Sequence, residues 1–184
     1  PFMPESMEKL AAQIGADVTG HFTGTEVRLD AVPLDIFAAD GDWRLADGVL
    51  TIANTAFRLE DREKDERFRP LIARDAALVL KDNRITAEAL LREPLSDREV
   101  ATAAIRHDLN SGTGSADLAV PGLLFDKRVQ PDTLSYLALG VIANARGTLT
   151  GTGRIDWNPQ DVTSTGRFST DKLDPAWGQS DLVL

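Results

Sequence analysis

The chain has 184 residues, of which 42% are hydrophobic and 27% charged, and a formal net charge of −9. Its length suits one folded domain with a sizeable core, and its composition excludes intrinsic disorder. The acidic balance excludes a surface that tracks nucleic-acid phosphates, which needs clustered Lys and Arg; the absence of cysteine excludes disulfides and thiolate metal sites.

In chain order, residues 5–15 read as a helix. Ser6 can cap it, Met7, Leu10, Ala11 and Ile14 share one stripe, and Gly15 stops it. From residue 18 the apolar period changes to two, so residues 18–29 read as a strand. Pro33 suits a strand start or an edge in residues 32–37. Residues 43–45 and 49–53 flank Ala46-Asp47-Gly48, a strong hairpin signal, and residues 55–59 continue as a strand. The mixed-sign charged run at residues 60–67 reads as solvated.

Residues 76–80 and 85–91 form a second expected hairpin around Lys81-Asp82-Asn83-Arg84. Residues 99–109 alternate and are read as a strand, as are residues 113–120, with Pro121-Gly122 closing that piece. Pro131 at a first helical position, with Gln130 or Asp132 as a cap and Gly140 as the stop, predicts a short helix near 131–139. Residues 145–150, 152–157 and 162–170 then read as a three-strand meander turning at Gly151 and at Asn158-Pro159-Gln160-Asp161.

The expected fold is therefore mainly β: a long, curled antiparallel sheet of about twelve strands, with an N-terminal helix and one short helix. At ~4.8 Å per strand it would extend only ~55–60 Å. No run approaches the ~20 apolar residues of a membrane span. Pro1 follows no signal sequence and Leu184 ends a strand-like stretch, so the chain reads as a single fragment, residues 1–184, of a larger β domain. A sub-boundary is expected near 121–131, and any membrane anchor lies outside the fragment.

Motifs for chemistry are weak. Gly112-Thr113-Gly114 and Gly151-Thr152-Gly153 are each followed by a strand, whereas a dinucleotide loop opens a helix. His21 and His107 read as surface or edge histidines without a positioned partner. No serine sits in a nucleophile-elbow context. Asp40, Asp42 and Asp47 lack the later ligands of a calcium loop and read as a solvated turn. Trp157 reads as a strand-end residue covering the sheet. No cofactor and no metal site is expected.

Small residues crowd the strands: Ala87, Ala89, Ala101, Ala103, Ala104, Ala116 and Ala119. A sheet with one apolar face must bury it or offer it to something apolar. The expected lining positions are Ile105, Leu118, Val120, Leu149 and Ile155.

Residues 129–170 resemble the YdbH family, a branch of the AsmA-like proteins that includes TamB. The likeness is carried by Gln130-Pro131-Asp132-Thr133-Leu134-Ser135, by residues 140–147 and 151–157, and by residues 163–170. The resemblance implies a periplasmic protein of Gram-negative bacteria, anchored to the inner membrane. It further implies a sheet curled around an apolar groove that carries phospholipid acyl chains between the two membranes, with an outer-membrane lipoprotein as a partner by strand addition. The competing expectation is a structural or adhesion-type β-domain whose apolar faces bury one another.

Overall fold

A computed structural model describes residues 17–30, 32–64, 66–135 and 145–171; the helix expected at 5–15 lies outside them. The described residues form nine strands: β1 (Val18–Leu29), β2 (Leu34–Ala46), β3 (Val49–Asp61), β4 (Leu71–Lys81), β5 (Arg84–Arg92), β6 (Glu99–Asp108), β7 (Thr113–Phe125), β8 (Gly147–Trp157) and β9 (Val162–Thr170). They make one sheet, ordered as in the sequence, with every neighbouring pair antiparallel. A single helical turn, α1 (Pro131–Leu134), separates β7 from β8. Residues 136–139 of the expected helix lie outside the described set.

Two tight turns follow the chemistry read from the sequence. Asp47 and Gly48 (φ 51° and 73°) join β2 to β3, and Asp82 and Asn83 (φ 49° and 58°) join β4 to β5. Left-handed φ at both central residues matches the right-handed twist of the flanking strands, and Asp, Asn and Gly tolerate it best.

Nine strands replace the expected twelve because three interruptions are irregularities inside long strands. Residues 34–37 and 43–45 belong to β2, whose register shifts twice between Phe37 and Gly41 around Ala38 at φ 51°. Residues 49–53 and 55–59 belong to β3. Residues 145–150 and 152–157 are largely β8, which runs straight through Gly151. Pro121-Gly122 likewise does not end β7. The β7–β8 register slips between Val120 and Leu123, and β6 pairs no further than Ala119. No ladder partner there needs the N–H that Pro121 lacks.

Bulges also explain the burial pattern. In β4, Leu71 and Ala73 are buried, then Ala76 and Leu80. The parity changes at Asp75, φ 55°, where the β4–β5 register shifts. One extra residue returns the apolar side chains to the same face.

That face carries three buried clusters. One joins Leu45, Leu50, Leu80 and Ile85 with Trp43, Ile52 and Leu78. A second joins Leu71, Ala73 and Leu91 with Phe57, Leu59 and Phe68. The third joins Ala101, Val120, Leu123, Phe125, Val129 and Ala145. Val100 and Leu134 pack against the second and third alike.

Large aromatics on this face lie flat across glycines of the adjacent strand. A Cβ on Gly114 would stand 2.4 Å from the Trp157 ring, and one on Gly20 would stand 2.5 Å from Trp43. Phe168 covers Gly151 in the same manner. Each glycine keeps its strand paired, and its neighbour's ring covers the exposed backbone. Gly114→Val should therefore displace Trp157 and cost about 1–3 kcal/mol in urea unfolding. Gly153→Ala, where the nearest atom would be 3.6 Å away, should be nearly neutral.

Candidate functional site: an apolar sheet face with a strap

Cross-strand register defines the two faces, because paired residues point the same way. One row runs across all nine strands: Gly20, Trp43, Ile52, Leu78, Ala87, Ile105, Ala116, Ile155 and Ser164. The row beside it runs Val18, Leu45, Leu50, Leu80, Ile85, His107, Gly114, Trp157 and Val162. Neither row contains an acidic residue, a lysine or an arginine.

The opposite face carries charges of both signs. Its central row holds Glu88, Ala104, Asp117, Arg154 and Thr165. Arg154 pairs with Asp117 at 2.7 Å and with Asp156 at 2.8 Å. A shallow, open depression of ≈ 980 Å³ lies on this polar side, lined by Glu88, Thr102, Asp117, Arg154 and Arg167 among others. The alanines flagged in the sequence divide between the faces: Ala87, Ala89, Ala101, Ala103 and Ala116 share the apolar one, while Ala104 and Ala119 belong to the polar one.

Ile105, Leu118, Val120, Leu149 and Ile155 all fall on the apolar face. Their surroundings differ. Val120 is buried in the third cluster and Leu149 packs on it, whereas Ile105, Leu118 and Ile155 are half-buried. Among the described residues no second sheet covers them.

One end of the apolar face is covered by the β7–β8 connection. Residues 126–135 return from β7 toward the β3–β4 loop. Arg69 donates its N–H to Leu134 O at 2.8 Å and its Nε to Asp132 O at 2.6 Å, and Ser135 Oγ donates to Arg67 O. Val129, part of this strap, is fully buried against the sheet. Gln130 occupies the N-cap position of α1, but its carboxamide does other work. Nε2 donates to Asp126 O and Ala145 O, and Oε1 accepts the Ala145 N–H at 2.8 Å. One side chain thus holds both feet of the strap together.

Carboxylates fasten the turns at this end. Asp126 lies well below the usual carboxylate range because the Arg98 side chain, and then the backbone N–H groups of Arg128 and Val129, hold its charged form. Asp61 is buried. Burial alone would raise its pKa, but the Arg67 guanidinium and the N–H groups of Arg67 and Glu63 outweigh it.

The histidines serve structure. His21 Nδ1 lies 2.8 Å from Asp42 Oδ1 on the exposed polar side. His107, read from the sequence as a surface or edge residue, is half-buried. It sits in β6 on the apolar face, where Trp157 Nε1–H donates to its Nδ1 at 3.1 Å with the rings tilted 31°. Asp40 accepts the Gly24 N–H at 2.8 Å. No cluster of metal-ligating side chains occurs among the described residues.

The strap and its Gln130 clamp were missed in the sequence. Their signal was available: Asp126 opens a turn whose N–H groups it caps, and Val129 stands as an isolated apolar residue between polar neighbours.

The described residues thus form a long antiparallel meander with one apolar and one charged face. The chain belongs to the YdbH-like family, described as "Intermembrane phospholipid transport protein YdbH", whose sequence profile matches residues 6–182. It is a lipid-transport family, not a family of enzymes. No curated protein and no solved structure matches the chain. No helix among the described residues is long and apolar enough to cross a membrane.

Proposed function

We propose that the chain is a segment of a periplasmic, bridge-like lipid-transfer protein whose apolar sheet face carries phospholipid between inner and outer membranes. The observation that supports this reading most is the charge-free apolar row from Gly20 to Ser164, half-buried at Ile105 and Ile155 with no second sheet upon it among the described residues. Acyl chains are held there by area-dependent apolar contact. The row from Gly20 to Ser164 carries no charged group that would fix a headgroup, so lipid is free to slide along it. The full-length protein is anchored in the inner membrane, and an outer-membrane lipoprotein extends the sheet by strand addition.

Photo-crosslinking tests the reading by parity. A photoreactive residue at Leu118 or Ile155 in the intact protein should capture phospholipid, whereas one at Arg154, next to Ile155 but on the charged face, should not. Protein adducts alone from every apolar-face position would sink the proposal and favour a structural or adhesion-type β-domain.

A further inference from the structure

The strapped end of the sheet also carries a surface of a different character. Leu95, at the tip of the β5–β6 loop, is 94% exposed, and Leu124, near the end of β7, is 47% exposed. Looseness does not account for Leu95. Glu93, itself 3% exposed, accepts the N–H groups of Leu95 at 3.1 Å and Ser96 at 2.6 Å. The loop is closed by Glu93 N–H to Arg98 O and Asp97 N–H to Glu93 O, both 2.9 Å. Arg92 adds a bond to Asp97 O at 2.8 Å.

Arg98 joins this loop to the next one, donating to Leu124 O and pairing with Asp126 at 2.8 Å. Lys127 and Arg128 follow directly. They are the only two consecutive basic residues in a chain of net charge −9. Both are exposed, and neither has an ion-pair partner among the described residues. The two ordered loops that Arg98 joins therefore present exposed leucines together with a basic pair that has no ion-pair partner among the described residues.

We infer that this corner, Leu95 and Leu124 with Lys127 and Arg128, docks on an anionic lipid bilayer surface. Apolar residues that enter the headgroup boundary beside cations that meet lipid phosphates are the combination such surfaces attract. A protein partner fits less well. Stable protein interfaces cover about 800 Å² per side, far more than two leucines supply, whereas a bilayer requires only that they penetrate. The docking is separate from lipid carriage along the apolar face and does not depend on it.

Flotation of the purified chain with vesicles provides the test. Binding is expected to vesicles of phosphatidylcholine mixed with phosphatidylglycerol, to be weak to phosphatidylcholine alone, and to fall as salt rises. Leu95→Asp should weaken binding at least about tenfold, and the pair Lys127→Glu and Arg128→Glu should do the same. Neither change removes a packed side chain, so thermal unfolding should stay within a degree or two, on the order of a surface substitution. Three results would overturn the inference: no vesicle binding by the unmodified chain, equal binding by Leu95→Asp, or crosslinks from position 95 that reach protein and never lipid.

Discussion

Leu123→Ala is expected to cost about 2–5 kcal/mol of folding stability, read as a lower urea midpoint at unchanged slope. Leu123 is 1% exposed and packs with Ala101, Val120, Phe125, Val129 and Ala145. It stands opposite Leu149 of β8, just past the β7 bulge, where sheet and strap meet. The hole left by its isobutyl group cannot close easily, because Val129 above is held by the Asp126 turn and the Gln130 clamp. Val79→Ala is the comparison: Val79 lies on the polar side and is 37% exposed, so its loss should stay within about 0.5 kcal/mol. Equal midpoints for the two variants would mean that the strap does not pack on the sheet as described.

The second large effect concerns lipid. Ile105→Glu combined with Ile155→Glu should lower phospholipid capture at Leu118 at least about tenfold, because apolar contact is lost and each carboxylate resists burial beside an acyl chain. The two isoleucines flank Ala116 in a single cross-strand row, so both charges fall on the same path. Thr86→Glu with Thr163→Glu adds the same charge to the polar face, where both threonines are exposed, and should leave capture unchanged. An equal loss in both double variants would show that charge number, not the face, governs capture.

Much of the fold was legible because period-two alternation and turn chemistry are local. Asp47-Gly48 and Asp82-Asn83 announce their hairpins through residues that tolerate left-handed φ. Strand lengths were less legible. Pro121-Gly122 and Gly151 look like stops, yet a proline beyond the reach of a ladder partner and a glycine beneath a phenylalanine ring are both compatible with continued pairing. Which it would be depends on the neighbouring strand, and a local reading cannot see that. The five expected lining positions share one face because regular register carries each strand's alternation across the sheet. Val120 and Leu149 nevertheless lie in or against the buried third cluster, since the strap comes from a distant connection. The clamp by Gln130 was hidden for the same reason: its partners, Asp126 and Ala145, are brought together only once the connection has folded back.

The sequential strand order has a further consequence. Every strand pairs with the one just before or after it in the chain, so each hairpin can form without first closing a long loop. A ribbon built in that way behaves almost one-dimensionally: links add, and damage in β1–β2 need not reach β8–β9. The strap departs from this pattern by tying Ser135 to Arg67. It couples the later hairpins to the earlier ones, and it gives a string of neighbours a reason to unfold together.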